Sequence, residues 1–286
     1  MAIGGGHGLA VTLRAARLYA SSITAIVSVA DDGGSSGRLR RELGIAPPGD
    51  IRRCLVALAG EGSTLAEAFE YRFEPNAAGA TGHPLGNLVL AGMTTATGRF
   101  QDALDKTATL LGAVGRVIPA AVEPVVLKAI TDSGEIEGQA AVSRTHHIQR
   151  VSLVPADPPA PVEAIEAIAA LGANDQLLIG PGSLYTSVLA AVTVPDIAAA
   201  IKRSAARRIY IGNLRPQASE TDGYDVADHL AALSLHGVEI DVVLADTSEI
   251  MLGEVPGDVV LDHLCAGNGL VHDPFRLAEA LRSLLG

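Results

Sequence analysis

The chain has 286 residues, 48% of them hydrophobic and 19% charged, with a formal net charge of −11. Those fractions exclude a disordered chain and allow one large α/β unit with a sizeable core. The acidic balance excludes a broad nucleic-acid or anionic-membrane surface, because phosphate backbones reward clustered cations, yet it leaves room for a small anionic ligand held locally.

In chain order, "MAIGGGHGLAVTLRAARLYA" predicts a strand stub, a glycine loop and a helix with Leu9, Leu13, Ala16 and Ala20 near one face. The stub is short for a central strand, as expected of a late start codon or a clipped first strand. "SSITAIVSVA" is a second strand, a continuous apolar run of the kind buried on both faces. "GDIRRCLVALAG" and "STLAEAFEYRF" predict helices, the first with Asp50 as cap and the second with Ser63 or Thr64. "HPLGNLVLAGMTTATG" and "RFQDALDKTATLLGAVG" predict two more, broken at Gly98.

From about Val117 to Pro155 the pattern changes to short β-rich runs with a turn at "TDSGEIEG", which predicts a small inserted antiparallel segment. "PADPPAP" ends it, and "VEAIEAIAALG" is a helix. The strands "DQLLIG", "RRIYIGN" and "EIDVVLAD" then alternate with the helices "PGSLYTSVLAAV", "DGYDVADHLAALSLHG" and "DPFRLAEALRSLL". The expectation is a Rossmann-like, doubly wound, mostly parallel sheet in one domain over 1–286, with the β-rich insertion at about 117–155. With aromatics at 3% and no Trp, Ala, Val, Leu and Ile must build its core. Cys54 and Cys265 supply neither a disulfide framework nor a CxxC metal site. No signal peptide and no apolar run of ~18 residues is present, so a soluble cytoplasmic protein with no membrane span is expected.

The chemistry-bearing stretches follow strand ends. In "GGGHG", Gly4, Gly5, Gly6 and Gly8 let a backbone approach a ligand closely, and the helix start behind them, with His7, offers N–H donors and a positive dipole end. That suits an anion or nucleotide; a tight turn needing only small residues is the plainer reading. The spacing fails the dinucleotide pattern GxGxxG, since counting from Gly4 reaches Leu9 and from Gly6 reaches Val11. In "SVADDGGSSGRLR", Asp31 and Asp32 sit on the ligand edge, suited to ribose hydroxyls or a divalent metal, or else to starting a turn. Ser35 and Ser36 add hydroxyls, and at least two of Arg38, Arg40 and Arg41 are expected on a solvated helix face. Gly33 to Gly37 also satisfies GxSxG, but two acids immediately upstream would oppose an oxyanion, so a hydrolase elbow is rejected.

In "PPGDIR", Asp50 is a helix cap and a candidate third acid, and Arg52 a candidate phosphate contact. "GHPLGN" places His83 and Asn87 at a ligand-facing corner, though a structural Asn serves equally. "IGPGSLYTS" repeats the logic of the first loop with Gly180, Gly182, Ser183 and Tyr185, so that a nucleotide would rest on two such loops. In "GNLRPQASETDGYD", Asn213 reads a base or ribose and Thr221 caps the next helix. His146 and His147 are taken as surface residues without an acidic partner at ligand spacing.

Together these stretches resemble the YvcK-like branch of the CofD family, which also contains 2-phospho-L-lactate transferase. The resemblance implies a Rossmann-like fold with a nucleotide-type ligand at the C-terminal edge of the sheet. In the transferase branch the matching acids, Asp32 and Asp50, serve the metal and deazaflavin sites, so Mg²⁺ with a nucleotide is the cofactor it implies. The YvcK-like branch is linked to gluconeogenic growth, cell shape and cell-wall precursor supply. UDP-sugar binding, a homodimer, and envelope-synthesis or carbon-metabolism enzymes as partners are implied there. Two positions depart from the family pattern: His7 stands where Thr is usual, and Ala218–Ser219 where a Pro–Gly pair is common. Nothing after the two acids can stack on a flat ring, which favours a nucleotide-sugar-binding regulator over a Mg²⁺-dependent transferase acting on a deazaflavin.

Overall fold

The structure, a computed structural model, describes residues 1–60, 62–74, 80, 82–267 and 269–285. The chain opens with β1 (Ala2–Gly4), α1 (Gly6–Ala16) and β2 (Thr24–Val27). Five helices follow: α2 (Gly34–Leu43), α3 (Gly49–Leu58), α4 (Thr64–Glu70), α5 (Leu85–Thr97) and α6 (Phe100–Leu111). After β3 (Arg116–Pro119) come β4 (Val126–Thr131), β5 (Gly134–Glu137), α7 (Gln139–Val142) and β6 (Ile148–Val154). Then α8 (Val162–Ala169) leads to β7 (Gln176–Ile179), and a π-helical stretch, Leu184–Leu189, runs into α9 (Ala190–Val192) and α10 (Pro195–Arg203). The last elements are β8 (Arg207–Ile211), α11 (Val226–Leu235), β9 (Val242–Ala245), β10 (Asp258–Leu261) and α12 (Pro274–Ser283).

Seven strands form one sheet in the order β10-β9-β8-β7-β1-β2-β3, and every pair in it is parallel. β1 is central, with Ile3 opposite Ile26 on one side and Ile179 on the other. The chain winds outward from β1 in both directions, so the switch point lies between β1 and β7, the place where such sheets open a ligand crevice. Central strands such as "QLLI" and "VVLA" are buried at every position, as required when helices cover both faces. Small aliphatic side chains fill the core, and Tyr185, Tyr210 and Phe69 are its largest fully buried members.

The antiparallel segment is a three-stranded sheet in the order β5-β4-β6. It starts later than the β-rich composition suggested: β3 pairs in parallel with β2 and belongs to the main sheet. Gly98 breaks α5 from α6 with φ +75°, a conformation only glycine adopts without strain. Ser63 caps α4 by accepting from Ala66 N–H. Two expected caps are replaced. Pro48 stands at the start of α3, and Asp50, inside its first turn, points elsewhere. Asp225 caps α11 in a reciprocal box with Asp228, leaving Thr221 to close the turn before it. No single helix among the described residues is long and apolar enough to cross a membrane.

Candidate functional site

The two glycine loops meet at the switch point. A Cβ on Gly8 would lie 2.2 Å from the Pro181 carbonyl oxygen, so the loops touch backbone to backbone. Thr12, fully buried on α1, ties them by donating to Gly180 O at 3.0 Å. Gly6 adopts φ +65° and Gly180 φ +78°, turns that favour glycine. α1 begins at Gly6 with no side-chain cap, and the N–H of Gly6 goes to Asp50 Oδ2 at 2.8 Å. Among the described residues, nothing accepts from the N–H of His7 or Gly8. Both residues line a cavity of about 620 Å³ with Pro181, Gly182, Asn213, Arg215, Gln217 and the Leu270–His272 segment.

An uncapped helix start carries partial positive charge and orphan donors, the ordinary makings of an anion site. Arg215 is exposed on the rim and makes no ion pair among the described residues. Burial, then the nearby Arg53, lowers the pKa of His7, which favours the neutral ring. His272 donates through Nε2 to Gly212 O, and burial lowers it to about 4. Gln217 spends its Nε2 on Ser183 Oγ, while its enclosed Oε1 has no partner among the described residues. A buried acceptor without a partner is a reason to expect a donor from a ligand.

The remaining predicted residues divide differently from the sequence reading. Asn213 lines the cavity, but its amide makes a two-way clasp with Gly182, accepting from its N–H and donating to its carbonyl, each at 3.0 Å. It therefore sets the shape of the second loop rather than reading a base. Asp31, Asp32 and Asp50 are absent from the cavity wall. Asp31 accepts from Gly33 N–H, and burial followed by the charge of Asp50 pushes its carboxyl above the usual range. Asp32 accepts from Ala140 N–H at 2.9 Å and so fastens the inserted segment to the end of β2.

Ser35 and Ser36 are internal fasteners as well. Asn87 donates to Ser35 Oγ at 2.9 Å, leaving the hydroxyl hydrogen for His83 Nδ1 at 2.7 Å. Ser36 Oγ accepts from Gly49 N–H. Arg52, expected at phosphate, is buried and fully committed to Glu70 and Asn87. Arg40 reaches Val125 O, and Arg41 is exposed on α2. His146 has an acidic partner after all, Asp222 at 3.1 Å, on an exposed turn.

The second loop resembles the first only in its backbone. Tyr185 N–H, Thr186 N–H and Thr186 Oγ1 all donate to the carboxylate of Glu220, which is buried. The helix start after β7 is thus already occupied by a charge of this chain. Tyr185 acts as a strut, its hydroxyl donating to Ile148 O on β6 at 3.0 Å. Glu220, Arg215 and Gln217 went unnoticed in the sequence although each lies in the "NLRPQASETDGY" stretch. His272 and Thr12 had no sequence signal, because a lone His in a loop and a Thr on a helix are ordinary.

Asp32 and Asp50 were the candidate Mg²⁺ ligands. Asp50 has one oxygen on Gly6 N–H and the other on Arg53 at 2.7 Å, while Asp32 is turned to the insertion. Among the described residues, neither belongs to a group of three or more metal-ligating side chains. As placed, these two carboxylates do not present a shared cation seat.

The fold and the facing loops define a Rossmann-like α/β protein with its crevice between β1 and β7. The chain belongs to the CofD family, on its YvcK-like branch: the family model described as 2-phospho-L-lactate transferase CofD matches residues 1–256. A relative from Nostoc sp. is 48% identical over 233 residues, which are 81% of this chain but half of that relative's length. Relatives named gluconeogenesis factor are 47% identical in Halalkalibacterium halodurans (84% of this chain, 75% of the relative) and 43% identical in Bacillus subtilis (86% and 78%). A crystal structure of a UPF0052-family protein from Bacillus halodurans superposes with a TM-score of 0.91 at 39% identity, covering 98% of this chain and 97% of that one.

Proposed function

We propose that this chain binds a nucleotide sugar of the UDP type and acts as a regulator linked to gluconeogenic growth, cell shape and cell-wall precursor supply. The observation that carries the reading is the pair of unpartnered amides, His7 and Gly8, opening from the uncapped start of α1 into the cavity at the switch point. The diphosphate takes these amides, with Arg215 neutralising charge at the rim. The orphan Oε1 of Gln217 accepts from a sugar hydroxyl or a base N–H. Leu270 and Val271 give the pocket an aliphatic side, and among the described residues no Phe, Tyr or Trp lines it, which suits a sugar better than a deazaflavin ring.

Calorimetry with UDP-N-acetylglucosamine, GDP with Mg²⁺, a deazaflavin and NAD tests this. Metal-independent binding of the UDP-sugar without turnover is the expected result, weakened about tenfold in Arg215→Gln, the scale of one lost charge-assisted contact. A deazaflavin product formed only with Mg²⁺ would replace the regulator with the transferase reading. UDP-sugar affinity unchanged by Arg215→Gln and by Gln217→Leu would remove the ligand from this cavity.

A further inference from the structure

We infer that Asp246, His263 and Cys265 form a binding site for a divalent transition metal, zinc being the ion their donor set suits best. The site is separate from the nucleotide cavity and depends on none of the reading above. β9 and β10 run in parallel with Ala245 opposite Leu261, so the residues just beyond their ends share the sheet's C-terminal rim. Asp246 follows Ala245 directly, and His263 and Cys265 follow Leu261 within one short loop. The three donors all lie within 4.8 Å of one another.

One of the separations already has the length an ion requires. His263 Nδ1 is 3.3 Å from Asp246 Oδ2 and 3.7 Å from Cys265 Sγ. With ordinary zinc bond lengths and tetrahedral angles, the oxygen–nitrogen edge is about 3.3 Å and the nitrogen–sulfur edge about 3.6 Å. The Asp246–His263 edge is therefore already of ligand length, whereas Cys265 Sγ, 3.5 Å from Nε2 of the same ring, swings towards the Nδ1 side as an ion enters. One oxygen, one nitrogen and one sulfur exclude magnesium and calcium, which require oxygen shells, and select a borderline-soft cation.

The surrounding bonds fix the carboxylate in place, and an ion shares Oδ2 with the amides that hold it. Asp246 is buried and held through Oδ1 by Ser248 N–H and Oγ, and through Oδ2 by the N–H groups of Leu264 and Cys265. Metal-ligating carboxylates are oriented by such partners, and here the loop carrying the sulfur is itself anchored on the carboxylate. His263 is exposed, giving the ion a path of entry and a solvent-facing fourth position. On binding, the thiol proton goes to water and the ion meets the ring through an unprotonated Nδ1. Cys265 also pairs through its backbone with His272, so a bound ion would brace one wall of the cavity.

The full chain, stripped with a chelator and titrated with Co²⁺, tests the site. One ion per chain is expected, with a thiolate-to-cobalt charge-transfer band that Zn²⁺ abolishes on displacing the cobalt. Cys265→Ser should remove the band, and His263→Ala should weaken uptake at least about tenfold. Both positions lie on the rim, so metal-free melting curves of the two variants should match that of the parent. Failure to take up Co²⁺, or a spectrum unaltered by Cys265→Ser, overturns the proposal. So does alkylation of Cys265 at the same rate with and without Zn²⁺, which would make the cluster a thiol–imidazole–carboxylate relay with no ion.

Discussion

The start of α1 and the helix start after β7 are built from the same parts: a buried strand, a glycine loop and a helix with no cap from its own sequence. Their fates differ in how many amides a carboxylate of this chain takes. Glu220, more than thirty positions downstream, occupies the Tyr185 and Thr186 amides after β7, whereas Asp50 takes only the Gly6 N–H of α1 and the amides of His7 and Gly8 keep no partner among the described residues. A helix end attracts negative charge wherever it comes from. A repeated motif therefore marks two places where an anion belongs, and only the tertiary fold decides which one the chain fills for itself.

The strongest way to break the comparison is to separate the loops. Gly8→Ala puts a methyl into the Pro181 carbonyl, 2.2 Å away, and into Gly182 N, 2.9 Å away, both backbone atoms with no side chain to yield. A stability loss of about 3 kcal/mol or more is expected in urea unfolding, together with loss of ligand binding. At Gly182 the same change meets Gly5 O at an ordinary 3.5 Å and carries mainly the strain of φ +146°. Gly182→Ala should then cost less, about 2 kcal/mol. Equal losses at the two positions would mean the contact between the loops is not what limits them.

The outer logic of this arrangement was legible in the sequence, and its inner bonding was not. Alternating strands and helices predicted the parallel sheet, and glycines at strand ends marked the two loops that meet at its switch point, because both depend on local chemistry. Asp32, Asp50 and Arg52 have the residue types of a ligand shell, but direction depends on partners distant in the chain: Ala140, Gly6 and Glu70. Polar side chains near a glycine loop can serve the loop or its ligand, and composition does not separate these uses. β3 was absorbed into the insertion because a four-residue edge strand carries the same composition as the β-rich run after it.

Acid should sharpen the contrast, since titratable groups beside the two helix starts respond with opposite signs. His272, on the cavity wall, is lowered to about 4, so the unfolded chain binds its proton first as pH falls below 6.5. Its contribution, about 3 kcal/mol, is present above pH 6.5 and lost as pH falls towards 4. His229, also lowered to about 4 by burial, adds to the same slope. Glu220 is raised by burial, so the folded chain protonates it first and its contribution grows as pH falls through that raised value. Urea midpoints between pH 7.5 and 4.5 should fall, and His272→Gln, which can keep the donor to Gly212 O, should flatten part of the slope, the rest coming from His229 and from His7, His83 and His236, which burial also lowers.

Removing the internal anion is the next test in size. Glu220→Gln keeps an acceptor for one or two of the three donors but withdraws the charge from the helix start. A loss of about 2 kcal/mol is expected from the weakened bonds and the unanswered dipole. UDP-sugar affinity should stay within about threefold of the parent if α1 holds the diphosphate, since a neutral-for-charged change behind the second loop leaves those amides untouched. A tenfold gain in affinity would show instead that the second helix start takes the phosphate once it is vacated.

The smallest effect lies in the turn that delivers Glu220. Ser219 adopts φ +71°, the left-handed region that costs a side-chain-bearing residue about 1 kcal/mol. Its N–H still donates to Asp222 Oδ2, so the turn is held by a local bond in place of glycine's freedom. Ser219→Gly relieves the strain but gives the unfolded chain more conformations to lose, so the two effects partly cancel. The net should be a gain of a few tenths up to about 1 kcal/mol, read as a higher urea midpoint with an unchanged slope. Ligand affinity should not move, because Glu220 already closes the second helix start with Ser219 in place. A destabilised Ser219→Gly would show that the serine's conformation is imposed by contacts beyond its own backbone, and that the Asp222 bond is not the device replacing glycine.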